Sequence, residues 1–183
     1  MSKEKYLSPY DTDWGQNGDE MCPDSYCHYA DLAMENLLLF MKKKTQKATG
    51  LELTPNYTYT RIYKNGSELI RHKDRFSCEI STTLNLGGDP WPIYVDNTDL
   101  HIIKDDEKWV SPMNKGIKID LNPGDMLIYK GQEIEHWREP FKGNYCAQVF
   151  MHYNNLASPN AKDNLYDQRE MVGLPSAFKN RQK

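Results

Sequence analysis

Tyr57-Thr-Tyr59-Thr-Arg61-Ile-Tyr63-Lys-Asn-Gly66-Ser-Glu-Leu-Ile-Arg-His72-Lys-Asp74 reads as a strand, a turn and a polar finish. The run from Tyr57 to Tyr63 is rich in aromatic and β-branched residues with period-two character, the pattern of a pleated surface. Lys64-Asn-Gly-Ser67 supplies the turn. The finish puts an imidazole and a carboxylate at positions i and i+2, which share one face on a strand and diverge on a helix. Joined by a further histidine, they would form a two-histidine, one-carboxylate face with coordination positions left open, which suits non-haem Fe(II). An exposed turn carrying unrelated polar groups is the other reading of a bare His72-x-Asp74 pair.

Outward from this stretch, strands and turns alternate. Phe76 to Asn85 reads as a strand stopped by Leu86-Gly-Gly-Asp-Pro90. Ile117-Lys-Ile-Asp-Leu121 alternates apolar with polar, Asn122-Pro-Gly-Asp125 is a turn, and Met126-Leu-Ile-Tyr129 is a buried-type strand. His136 follows in Glu133-Ile-Glu-His-Trp-Arg-Glu-Pro140, and Tyr145 to Tyr153 is the most β-prone run of the chain. Strands that must bring such distant candidates together point to a barrel-like double sheet. His28, His101 and His152 compete with His136 for the role of third ligand. The turn-and-strand setting before His136 favours it.

Tyr63, the glycine turn, His72-x-Asp74, Leu84-Asn85, Pro123-Gly-Asp-Met-Leu-Ile-Tyr129 and His136 occur in order across residues 55–153. That order resembles the iron- and 2-oxoglutarate-dependent oxygenases of the prolyl-4-hydroxylase type. The resemblance implies a mainly β chain with flanking helices, built on a distorted double-stranded β-helix, or jelly-roll, core. It implies Fe(II) held by His72, Asp74 and His136, with 2-oxoglutarate and O2 as co-substrates. The reaction implied is hydroxylation of a C–H bond, first of all in a prolyl residue of a peptide or protein, with a free amino acid or small metabolite as the alternative. Tyr63 falls where a tyrosine hydroxyl reaches a 2-oxoglutarate carboxylate.

One element departs from the family pattern. Where the family carries a Lys or Arg that anchors the far carboxylate of 2-oxoglutarate, this chain has Tyr145 and Cys146. The anchor must then come from Arg138, Lys142, Arg61 or the Tyr145 hydroxyl. Arg138 is preferred, since strand alternation would give it the face of His136 and a guanidinium pairs well with a carboxylate. Gly87-Gly-Asp89 looks like a variant of the family's Gly-Gly-acidic strand start. The altered anchor also keeps open a cupin-like metal- or sugar-binding protein that does not use 2-oxoglutarate.

With 183 residues and 23 basic against 26 acidic side chains, net −3, the chain reads as one domain with no nucleic-acid footprint. The expected layout is an N-terminal loop over 1–24, a supporting helix over 25–50, the jelly-roll core over 55–153 and a C-terminal strap or tail over 154–183. The helix is drawn from a stripe of Tyr29, Ala33, Leu37 and Phe40, widened by Leu38 and Met41 and closed by Gly50. The connection from Gly87 to Gly116, broken by prolines and carrying Trp91, Tyr94 and Trp109, is expected to flank the site and receive substrate. Met1-Ser-Lys-Glu-Lys5 starts no apolar leader and no apolar run approaches about 20 residues, so a cytoplasmic chain with no membrane partner is expected. Cys22, Cys27, Cys78 and Cys146 lack paired C-x2-C spacing and are read as reduced thiols rather than a zinc site.

Overall fold

The computed structural model describes residues 15–19, 21–97, 103–105, 108–110 and 115–179. Along the chain run β1 (Gln16–Asn17), β2 (Tyr26–Tyr29), α1 (Leu32–Thr49), β3 (Leu53–Lys64), β4 (Leu69–His72), β5 (Ile80–Gly88) and β6 (Ile93–Asp96). There follow β7 (Ile103–Asp105), β8 (Lys108–Val110), β9 (Ile117–Ile119), β10 (Met126–Tyr129), β11 (Glu135–Arg138) and β12 (Tyr145–Asn155). Two short 3-10 turns, Leu165–Gln168 and Ser176–Phe178, finish the described chain.

The most β-prone runs make the longest strands, and β3 and β12 pair antiparallel from Lys64↔Tyr145 to Leu53↔Asn155. They centre a six-stranded sheet in the order β1-β2-β3-β12-β5-β10. A second sheet runs β4-β11-β6-β9, and β7 pairs with β8. On β5 and β12 the pleat sends alternate residues to opposite faces. Ile80, Leu84, Val149, Met151 and Tyr153 pack on Leu38 of α1. Their neighbours Ser81, Gln148 and His152 turn instead toward the four-stranded sheet. Two antiparallel sheets face to face, with one helix backing the larger, make the jelly-roll core.

The helix begins later than its stripe suggests. Tyr26–Tyr29 adds to the edge of β3 as a strand, and Asp31 caps α1 by accepting the Met34 N–H at 3.0 Å. Gly50, left-handed at φ 72°, ends it by donating to the Gln46 carbonyl. A stripe anchored on Tyr29 is therefore out of phase. Leu38 is buried with Met34, Leu37 and Met41 packed beside it, while Phe40 is 70% exposed.

Residues after β12 form a pinned strap. Arg169 makes an ion pair of 2.6 Å with Glu35 of α1, both side chains fully buried. Asp167 accepts from the Tyr29 hydroxyl at 2.6 Å and pairs with Arg75 at 2.9 Å and Lys179 at 2.6 Å. Tyr166, Asp167 and Gln168 all hold left-handed backbone, φ 49°, 54° and 67°. Side-chain crowding makes that conformation cost about 1–2 kcal/mol per L residue. The turn persists because the Asp167 carboxylate is gripped from three sides.

The connection expected between Gly87 and Gly116 is not one long loop, because β6 lies inside it as a member of the four-stranded sheet. Residues 98–102, 106–107 and 111–114, with His101 and Pro112, lie outside the described residues, as do 1–14, 20, 180–183 and the Trp109 side chain. All four cysteines are free and buried. No described helix is long and apolar enough to cross a membrane.

Candidate metal centre

His136 on β11 stands directly opposite His72 at the end of β4. Their rings lie 4.3 Å apart between centroids. His72 Nε2 is 3.7 Å and His136 Nε2 3.5 Å from the same atom, Asp74 Oδ1. One donor atom from each residue falls within 4.8 Å of the others, and among the described residues no other group of this kind is found. Each Nδ1–H donates to a backbone carbonyl two residues back, Ile70 at 2.7 Å and Ile134 at 3.1 Å. That fixes the tautomer that turns an Nε2 lone pair toward a shared point. Burial, with the neighbouring His136, brings His72 down to about 4, so its imidazole is neutral at neutral pH and competent to bind a metal.

Asp74 reaches this point by a route the strand rule does not describe. β4 stops at His72, and the Asp74 N–H is held by the Gly131 carbonyl at 2.8 Å in the turn beyond. Ser81 donates to Asp74 Oδ2 at 2.6 Å, leaving Oδ1 to face the histidines. Burial opposes the charge on Asp74, but the contacts to His136, His152 and Ser81 outweigh it and hold the carboxyl well below its usual range. Gly131 must come this close, since a Cβ there would collide with Asp74 Oδ2, Ser81 Oγ and the Cys78 carbonyl. Gly131→Ala is therefore expected to cost about 1–3 kcal/mol by overpacking and to weaken metal binding. Thermal unfolding and Mn(II) titration of that variant check it, and wild-type affinity would remove Gly131 from the site.

Beside the triad lies a cluster of buried donors. Tyr129 contacts His136 with ring centroids 4.7 Å apart. Tyr63 packs edge-on to Trp91 at 4.7 Å, and the Arg138 guanidinium sits over the Trp91 ring at 5.1 Å. Arg138 and Tyr63 are both fully buried. One Arg138 nitrogen donates to the Trp91 carbonyl, whereas Nε, Nη2 and the Tyr63 hydroxyl have no hydrogen-bond partner among the described residues. Burial pulls the Arg138 guanidinium below its ordinary range, and what offsets this comes from Tyr63, Cys146 and Tyr129 rather than a carboxylate. Burial likewise pushes Tyr63 up to about 12 against the pull of Arg61 and Arg138, so its hydroxyl is a standing donor. Buried donors left unsatisfied each cost about 1–3 kcal/mol and call for an acceptor. Three of them beside a metal face fit a small carboxylate ligand.

The remaining candidates separate cleanly. Arg61 is committed to Asp19, with Nη1–Oδ1 at 3.0 Å and Nη2–Oδ2 at 2.6 Å, so it is not a spare cation. Lys142 is exposed and Tyr145 is 56% exposed, so neither lines this interior. Cys146, one residue on, is buried there with Tyr63, Trp91 and Phe141. Trp91 accordingly belongs to this cluster rather than to a groove wall, while Tyr94 stacks on Trp137. His28 lies 3.4 Å from Asp31, away from the triad, and His152 contacts Ser81 at 3.0 Å, one step behind Asp74. Asp19, Ser81, Tyr129 and Gly131 escaped sequence reasoning. Ser81 and Tyr129 carried a signal, the strands that hold them.

No protein-family model matches the chain, and no curated protein does. Solved structures do resemble it. AviO1 from Streptomyces viridochromogenes Tue57 is 17% identical with a TM-score of 0.58, over 87% of this chain and 79% of that one. An oxidoreductase of the 2OG-Fe(II) oxygenase family from Burkholderia pseudomallei is 13% identical with a TM-score of 0.55, over 85% and 75%. A Pseudomonas putida prolyl-4-hydroxylase is 16% identical with a TM-score of 0.54, over 76% and 77%. The chain thus has the fold of the 2-oxoglutarate–Fe(II) oxygenases, including that of a prolyl-4-hydroxylase.

Proposed function

We propose that the chain is an Fe(II)- and 2-oxoglutarate-dependent dioxygenase that hydroxylates a C–H bond, with a prolyl residue of a peptide or protein as its leading substrate. The observation that carries this reading is the convergence of His72 Nε2, His136 Nε2 and Asp74 Oδ1 on one point. Two imidazoles and one carboxylate bind a divalent ion and leave positions for O2 and a chelating co-substrate. With 2-oxoglutarate and O2, iron bound there supplies oxidation of an unactivated C–H bond, and the keto acid leaves as succinate and CO2.

The protein's own part is placement. Ile70 and Ile134 fix the imidazole tautomers, and Ser81 and Gly131 hold the carboxylate. Arg138 and Tyr63 offer unpaired donors to the carboxylate of the co-substrate, packed among the buried Trp91, Phe141 and Cys146. The ground for a cupin-like binder without 2-oxoglutarate was the absence of a cation at 145 and 146; Arg138 meets that objection. Anaerobic Fe(II) with 2-oxoglutarate is expected to give a weak visible charge-transfer band, and a spectrum without it would favour the cupin-like reading. The prolyl assignment draws support only from the fold shared with a prolyl-4-hydroxylase. Succinate release stimulated by proline-containing peptides is the expected result. Stimulation by free amino acids or small metabolites alone would keep the oxygenase and discard the peptide substrate.

A further inference from the structure

Behind the metal face a series of side-chain contacts runs on from Ser81 to the C-terminal strap. Ser81 Oγ, which donates to Asp74 Oδ2, also meets His152 Nδ1 at 3.0 Å. The His152 ring stacks on Tyr57 with centroids 4.6 Å apart. Arg75, the residue after Asp74, lies over the same Tyr57 ring at 4.4 Å, and its Nε donates to the Tyr57 hydroxyl at 3.2 Å. Its Nη2 reaches Asp167 on the C-terminal strap at 2.9 Å. The strap thus touches both ends of the Asp74 support: the adjoining backbone through Arg75, and the Ser81 hydroxyl through Tyr57 and His152.

We propose that Asp167 is a positioning residue of the metal centre, which holds Arg75 on Tyr57 and so fixes the Asp74 carboxylate with Oδ1 toward the metal. The inference rests on the metal-centre reading above. Two observations separate it from simple fastening of the strap. The fully buried Glu35–Arg169 pair already pins the strap to α1. The Arg75 side chain is 39% exposed against 7% for Asp167, so solvent screens the cation and this contact is a weaker fastening of the strap than the Glu35–Arg169 pair. The chain nevertheless keeps three consecutive left-handed residues, Tyr166, Asp167 and Gln168, to present this carboxylate. Backbone strain of this kind persists only where its surroundings over-determine it, and it gathers at functional sites.

The test uses the full chain, titrated with Mn(II) and followed by electron paramagnetic resonance, with the visible spectrum of bound Co(II) reporting ligand geometry. Asp167→Asn is expected to weaken Mn(II) binding about tenfold, as loss of a partner that orients a ligand does, and to shift the Co(II) bands. Arg75→Ala should match it, while Arg75→Lys recovers part, keeping the charge but not the planar fork. Leu38→Ala, in the core on the other face of the six-stranded sheet, controls for general destabilisation: Tm falls and Mn(II) affinity stays. Wild-type affinity in Asp167→Asn, or an equal loss in Leu38→Ala, overturns the proposal alone. A wild-type chain that takes up no Mn(II) overturns the metal-centre reading and the proposal with it.

Discussion

Asp74→Ala is expected to abolish binding of Fe(II) or Mn(II) and, with it, any 2-oxoglutarate turnover. The carboxylate is the sole anionic member of the triad, and its Oδ1 is the atom both imidazoles approach. Without it a divalent ion would have two neutral donors and nothing to offset its charge. The loss should exceed the ~10–100-fold that follows removal of a group merely orienting a ligand. His136→Ala should follow closely, since its Nε2 is aimed by the Ile134 carbonyl. His152→Ala takes an intermediate place, because its ring supports the Ser81 hydroxyl. Calorimetric Mn(II) titration of the three variants ranks them. Equal losses for His152→Ala and His136→Ala would break the ligand assignment.

The contrast between His136 and His152 shows what the sequence could and could not convey. Alternation and turn chemistry are local, so the strands, the Pro123-Gly124 turn and the facing of Arg138 with His136 were legible in the order of residues. The start of α1 was not. Its stripe competes with the β-prone Tyr26–Tyr29, and the edge of β3 decides between them. Asp74 converges with His72 because Gly131, remote in sequence, lends a carbonyl and leaves room for the carboxylate. Nothing within a few residues of either position encodes that approach. For the same reason Arg61 stayed among the possible anchors beside the preferred Arg138, although Asp19 occupies it. A spare charge is defined by its partners, and partners are a property of the fold.

Arg138→Met should eliminate tight binding of 2-oxoglutarate while making the ligand-free protein more stable. Both halves follow from one fact: the guanidinium is fully buried with two nitrogens lacking acceptors among the described residues. In the ligand-free chain that charge is a burden, and an apolar side chain of similar volume relieves it. With a carboxylate bound, the same nitrogens form the charge-assisted contact. Truncating one partner of such a pair costs about 2–5 kcal/mol, a factor of roughly 30 in affinity at its lower end. Arg138→Lys should restore only part, since the planar fork is lost. Lys142→Ala and Tyr145→Phe should change nothing, their side chains being exposed. Thermal unfolding of the Mn(II)-loaded protein with and without 2-oxoglutarate reads both effects at once. Wild type gains Tm with the keto acid by mass action, whereas Arg138→Met starts higher and gains little. If Arg138→Met bound 2-oxoglutarate as wild type does, the two unpaired nitrogens would have some other purpose and the co-substrate some other anchor. A lowered starting Tm would show instead that the bond to the Trp91 carbonyl and the contact with its ring already compensate the buried charge.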